Sequence, residues 1–281
     1  MAEKRVSIFE LENELDIQKE FNRLRGILFS DSIAKADIGY DHGPFISVIN
    51  KRIFPYWPHR DTFLDVFEYL DFIGLDYRVR NGSLNIDETS FLNFLEFFAN
   101  ITDYMLLFCK KNNIIWSLDP VISGCILNIP KILSKMHYKK KKINEKTLII
   151  KEDIDIDSVA DSVPKDILVI LLKYCDFRIE NNLEVKKSLL KSIDLYIDNN
   201  KKSFQRLENG KSLVSDIDFI FNKFGINHEI DESFSNYTKS ELLNLYDKVF
   251  VLCLELFRKE KVQIIQKDIA ILKKGAKTVS D

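Results

Sequence analysis

Arg52 and His59, within Arg52-Ile53-Phe54-Pro55-Tyr56-Trp57-Pro58-His59, are the residue types best suited to acting on a phosphodiester. A guanidinium stabilises charge on the phosphate while an imidazole passes protons to or from the attacking or leaving oxygen, chemistry that cleaves RNA without a metal. The two prolines speak against one continuous helix through both residues. The alternative use of the same stretch is an exposed aromatic loop in which Phe54, Tyr56 and Trp57 meet a protein partner.

Other chemistries are poorly served. The histidines, His42, His59, His137 and His228, never stand four apart, the helical spacing of a paired metal site. The nine glycines do not gather into a phosphate-cradling loop, and no serine sits in a nucleophile-elbow pattern, so neither a cofactor nor a metal is expected. Cys109, Cys125, Cys175 and Cys253 lie far apart in apolar, helix-patterned surroundings and read as buried thiols in a reducing compartment. Lys139, Lys140, Lys141 and Lys142 follow Tyr138, so one short stretch offers several charges for phosphates and a ring for stacking on a base; the plainer reading is a solvated linker. Asp153, Asp155, Asp157 and Asp161 lack the glycine and terminal glutamate of a calcium-binding loop and read as solvated or as helix N-terminal charges.

The elements that would position these groups are mostly helical. Ser7 to Ser30 carries Ile8, Leu11, Leu15, Phe21, Leu24 and Leu28 near helical spacing. Residues 31 to 60, broken by glycine and proline, read as an ordered loop around a short helix near Phe45 to Ile53. Asp61 is placed to cap a helix ending at Gly74. Alternation on either side of Asn81-Gly82 predicts a β-hairpin over residues 75–86, with Arg78 and Arg80 on one face, the geometry of a wing that could touch DNA.

Further on, helices are expected over Asp87 to Lys111 and from Asp119-Pro120, the latter kinked or divided at Pro130. A short strand is expected near 147–151. Asp157 to Val163, Pro164 to Cys175, Leu183 to Asp198, Ser203 to Leu207 and Lys211 to Phe224 all have helical patterns. A last helix opens at Thr238, with Glu241 completing a capping box, and runs to about Leu272.

The expected fold is therefore mainly α, in two helical domains: residues 1–137 with the hairpin, a basic and acidic linker over 138–154, and a helical bundle over 155–281. A composition of 46% hydrophobic residues with 21 Phe and 10 Tyr can fill such cores without disulfide staples. A net charge of −2 makes any nucleic-acid binding local. The opening Met1-Ala2-Glu3-Lys4-Arg5 is not followed by an apolar run, and the longest apolar stretches are interrupted or short, so a cytoplasmic protein with no membrane partner is expected.

From Asp155 onward a succession of features goes further. Val159-Ala160, Leu171-Leu172-Lys173-Tyr174, Asn182 to Leu190, Asp216 to His228 and Leu245-Tyr246-Asp247 together resemble the C-terminal helical domain of bacterial abortive-infection proteins of the AbiJ-like kind, identified as HEPN-like. The likeness spans about residues 155–272. It implies a phage-defence role, action on or binding of RNA, His228 and Asn222 as the positions matching the family's polar motif, and a homodimer through the C-terminal helices. Where an Arg-His-Asn-Asn-like stretch is expected, this chain has Ile226-Asn227-His228-Glu229. The resemblance thus implies either a metal-independent ribonuclease or a catalytically degenerate domain. The alternatives from different classes are a non-enzymatic adaptor using Phe54, Tyr56 and Trp57, and a DNA-binding regulator using the Arg78 and Arg80 wing.

Overall fold

The computed structural model describes residues 15–30, 35–75, 86–143, 145–152, 156–228, 230 and 236–277. The chain divides into two compact units, Met1–Glu152 and Asp153–Asp281. Both are mainly helical, as the sequence patterns predict.

In the first unit α1 (Ile17–Phe29) is capped by Asp16, whose side chain accepts from Lys19 N–H. The part of its expected range before residue 15 lies outside the described residues. Strands β1 (Ala36–Ile38) and β2 (Asp41–Gly43) form a short hairpin, and β3 (Trp116–Leu118) pairs with the other edge of β1. The expected loop over 31–60 is thus partly sheet; three-residue strands are too short for alternation to announce them. Helix α2 (Phe45–Arg52) follows, close to its expected place, then a single 3-10 turn at Phe54–Tyr56.

Helix α3 (Val66–Phe72) is capped by Asp65, which accepts from the N–H groups of Phe67 and Glu68. Asp61, the expected cap, instead sits at φ 55 in the preceding turn. The helix ends as predicted at Gly74, φ 84, the left-handed conformation a glycine enters at least cost. The hairpin expected over 75–86, with Arg78 and Arg80, lies almost wholly outside the described residues.

Helix α4 (Glu88–Lys111), capped by Asp87, is the axis of this unit. Between Phe91 and Thr102 nearly every side chain is buried, so the helix is covered on all sides rather than along one stripe. It packs against α1, against α5 (Pro120–Lys135) and against the second of the next two strands. Helix α5 starts as expected, with Asp119 capping and Pro120 in the first turn, but runs undivided through Pro130. Strands β4 (Tyr138–Ile143) and β5 (Lys146–Lys151) form an antiparallel hairpin within this unit. The segment expected as a linker is therefore largely structural; the boundary falls at its far end.

In the second unit α6 (Lys165–Tyr174), α7 (Leu183–Asn199), α8 (Lys201–Phe204), α9 (Gly210–Lys223) and α10 (Lys239–Lys277) make a bundle. Residues 157–162 form turns rather than the expected helix. The core joins Leu171 and Leu172, Leu190, Ile193 and Ile197, Val214, Ile217 and Phe221 to Tyr246, Val249, Phe250, Cys253 and Phe257. Thr238 and Glu241 form the predicted capping box, Glu241 N–H donating to Thr238 Oγ1 at 3.3 Å and Thr238 N–H to Glu241 Oε2 at 2.8 Å. Gly225, φ 79, ends the turn after α9.

Candidate nucleic-acid interface

The basic run forms the outer strand of the β4–β5 hairpin. Residues on the two strands stand opposite one another in the register Lys139↔Ile150, Lys140↔Ile149, Lys141↔Leu148 and Lys142↔Thr147. Leu148, Ile149 and Ile150 are buried, and their burial fixes the hairpin's position. The far edge of β5 is closed by α4 side chains acting in place of a third strand. Asn100 accepts from Thr147 N–H at 2.7 Å and donates to Thr147 C=O at 2.8 Å, while Glu96 Oε2 accepts from Ile149 N–H at 3.0 Å. These buried contacts satisfy backbone groups that would otherwise lose water without gaining a partner.

Among the described residues β4 pairs with β5 alone and so forms the outer strand. Lysines on an outer strand discourage pairing with another sheet, which is the structural reason for having them there. Successive side chains point to opposite faces, so Lys140 and Lys142 share one face, Lys139 and Lys141 the other. Lys142 and Lys146 are exposed, and the remaining lysines of the hairpin are half-buried.

Beside the hairpin turn lies a group of aromatic side chains. The next turn of α4 carries Tyr104 and Phe108, and the Tyr56 ring stacks on Phe108 with centroids 5.1 Å apart and planes at 21°. Tyr104 donates its hydroxyl to the Tyr56 carbonyl. Tyr56 is 63% exposed, so a ring held by a second ring still faces solvent. His59 packs edge-on against Trp57 at 5.9 Å. Burial holds its proton affinity below the ordinary histidine value, Lys146 lowers it further, and Glu145 opposes. Burial and Glu145 together raise the Tyr104 hydroxyl. His59 and Tyr104 therefore both feel the charges at the tip of the hairpin. A run of lysines can hold a polyanion, and an exposed, supported ring in the same unit can stack a base.

The other candidate residues are scattered. Phe54 and Trp57 are buried, at 0% and 3% exposure, packed around Tyr69 and Phe97, so the expected exposed aromatic loop reduces to Tyr56. Arg52 pairs with Asp41, which also accepts from Lys51 at 2.6 Å. Among the described residues no hydrogen bond joins Arg52 to His59. In the second unit Asn222 and His228 are both exposed, on α9 and in the loop after it. The polar residue of that loop that reaches a buried group is Asn227, donating to Asp194 Oδ2 at 2.7 Å.

Three polar groupings are not legible in the sequence. Asp194, Asp198 and Asp218 bring carboxylate oxygens within 4.8 Å of one another. Lys201 already supplies a cation there, 3.4 Å from Asp198 Oδ1 and 2.7 Å from Asp218 Oδ2. Only the pair Asp194 and Asp198 is visible as helical spacing. Lys186, 4% exposed, donates to Asp247 Oδ1 at 2.6 Å, and the Tyr174 hydroxyl donates to the same oxygen at 3.0 Å, tying α6, α7 and α10 together. On the small sheet Asp37 stands between His42 and Ser117, with Ser117 Oγ donating to it at 3.0 Å. These are the residue types of a hydrolase triad in the wrong order: the aspartate separates serine from histidine, so the imidazole cannot take the hydroxyl proton.

No family model, curated protein or solved structure matches this chain.

Proposed function

We propose that this chain is an RNA-binding protein of the abortive-infection kind, in which the β4 lysines and Tyr56 contact single-stranded RNA. The observations that carry the reading are a basic strand and, in the same unit, a solvent-facing tyrosine whose partner Tyr104 feels the charge of Glu145 at the tip of the hairpin. On this reading the C-terminal bundle is a HEPN-like domain that no longer cleaves. Its motif loop spends Asn227 on the buried Asp194, leaves His228 exposed and has no arginine beside it in sequence. Four buried, free cysteines support a reducing compartment such as the bacterial cytoplasm.

The test is fluorescence anisotropy of a labelled oligouridylate with the full chain over a series of salt concentrations, run beside incubation with total cellular RNA. Binding that weakens steeply with salt, without cleavage, is the expected result. No binding at low salt would overturn the proposal. Cleavage lost in His228→Ala would overturn its non-catalytic part and return the bundle to the ribonucleases.

A further inference from the structure

Strands β1 and β2 are joined by the turn Gly39-Tyr40, and Gly39 N–H donates to the Ile115 carbonyl at 2.9 Å, fastening that turn to the loop between α4 and β3. The loop is held in turn by Ile114 N–H, which donates to the Cys109 carbonyl at the end of α4, also at 2.9 Å. Trp116 stands opposite Ile38 in the adjoining ladder. One end of the small sheet is thus a fixed tip made from two turns. On it Tyr40 is 99% exposed, Ile115 87% and Trp116 41%. Side chains as exposed as the first two touch almost nothing of their own chain, so they project.

The charges around the tip are mostly positive. Lys110 and Lys111, both exposed, are the last residues of α4, directly before the second turn. Lys51 and Arg52, the last residues of α2, both reach Asp41, the residue after Tyr40. Asp37, further back on β1, is engaged by His42 and Ser117. These four cations therefore outnumber the two carboxylates. Tyrosine and tryptophan are the side chains that settle at lipid headgroup level, an isoleucine beside them reaches the acyl boundary, and amines behind them meet anionic phosphates. Single-stranded RNA would use the rings and the amines but offers Ile115 nothing apolar to enter. A protein partner would need a pocket shaped to two projecting side chains and an acidic rim, whereas an anionic bilayer supplies both without a fixed shape.

We infer that the tip formed by Tyr40, Ile115 and Trp116 docks on the surface of an anionic phospholipid bilayer, with Lys110, Lys111, Lys51 and Arg52 over the phosphates. No described helix is long and apolar enough to cross a membrane, so the contact is peripheral. The expectation of no membrane partner rests on apolar runs along the sequence, which a tip assembled from two separate turns does not display. Three side chains and a few amines give reversible binding. The inference does not rest on RNA binding.

Of the chain's two tryptophans Trp57 is 3% exposed, so a change in emission on adding vesicles reports Trp116. The full chain is titrated with vesicles of phosphatidylcholine alone and of phosphatidylcholine mixed three to one with phosphatidylglycerol, and followed by emission and by flotation. A blue shift and flotation with the mixed vesicles, reversed by salt and weak with the neutral ones, is the expected result. Tyr40→Ser with Ile115→Ser should lower the partition coefficient at least about tenfold, with the circular dichroism spectrum and Tm kept because both side chains are exposed. Lys110→Ala with Lys111→Ala should lower it about thirtyfold on the mixed vesicles. No blue shift with either vesicle, flotation that the Tyr40 and Ile115 pair leaves unchanged, or an emission change produced by oligouridylate and not by vesicles would each overturn the proposal, the last in favour of RNA at this tip; equal binding to neutral and mixed vesicles would overturn the part played by the lysines.

Discussion

Asn227 donates its side-chain amide to Asp194 at 2.7 Å, linking the loop after α9 to a carboxylate only 6% exposed on α7. Burial raises the proton affinity of Asp194, the Asn227 amide opposes that, and Asp198 and Asp218 add to it. A carboxyl raised in the folded state contributes stability that is full below its unfolded value, about 3.9, and is lost as pH rises through the folded value. At neutral pH the amide is therefore supporting a costly charge. Asn227→Ala is expected to lower unfolding free energy by ~1–3 kcal/mol at pH 7 and by less near pH 4, with Asp194→Asn recovering much of the loss. Urea unfolding at both pH values checks this; an equal loss at both would show that the bond does not support a charge.

The contact between Asn100 and Thr147 has a different character, because it substitutes a side chain for a strand. Asn100→Ala leaves the buried N–H and C=O of Thr147 without their partner and is expected to cost ~2–4 kcal/mol. Asn100→Asp keeps an acceptor for the N–H but turns a carboxylate oxygen toward the C=O, and is expected to be no better. Amide hydrogen exchange at Thr147 and Ile149 should rise more than elsewhere in the unit. Uniform exchange changes would mean that α4 does not hold the hairpin in place.

Gly210 makes a third case, set by space rather than by hydrogen bonding. A Cβ built there lies 1.9 Å from the Phe204 carbonyl oxygen and 3.1 Å from Leu207 Cβ. Relief requires the backbone at the start of α9 to move away from α8. Gly210→Ala is expected to lower Tm by at least ~2 °C, the shift that about 1–2 kcal/mol produces in a chain of this size. A Tm unchanged within a degree would show that the two helix ends are not in close contact.

The contrast between Gly74 and Gly210 shows what the sequence made legible. Gly74 ends a run of apolar residues at helical spacing, so its role follows from local pattern, as do the start of α5 at Asp119-Pro120 and the Thr238 and Glu241 box. Gly210 opens α9 just after the short helix α8, and the Phe204 carbonyl it approaches is brought close by a turn that no apolar periodicity announces. The same division runs through the candidate interface. The lysine run and Tyr56 stand out as residues, but the hairpin's place in the unit depends on β5 docking against α4 through Glu96 and Asn100, two polar residues in an apolar helix that local pattern marks only as interruptions. Phe54 and Trp57 misled for a related reason: a proline-flanked aromatic cluster without period resembles a surface loop, and only long-range packing on Tyr69 and Phe97 buries it.

His59 is expected to give the proposed interface a pH dependence. Its proton affinity is held down chiefly by burial and then by Lys146. A histidine lowered on folding contributes stability that is full above its unfolded value, about 6.5, and is lost as pH falls through that value toward the folded one. A phosphate near Lys146 would oppose the shift by favouring the imidazolium. RNA affinity is therefore expected to rise as pH falls below about 6.5, and His59→Gln to flatten the rise while leaving affinity at pH 8 unchanged. Anisotropy titrations of both proteins from pH 5.5 to 8 decide it; parallel curves would remove His59 from the interface.

Charge and stacking in the interface separate by salt. Each amine that neutralises a phosphate of a single strand contributes about 0.7 to the slope of log affinity against log salt. Lys140→Ala with Lys142→Ala should therefore flatten the slope by about 1.4 if both amines touch phosphates. Tyr56→Ala removes a stacking platform, not a charge. It is expected to weaken binding by ~1–3 kcal/mol with the slope unchanged. Tyr56→Phe should bind as the parent does, since the ring and its contact with Phe108 are kept. If the lysine pair leaves the slope untouched while Tyr56→Ala abolishes binding, the lysines of β4 serve only to block strand pairing, and the RNA path runs over the aromatic group alone.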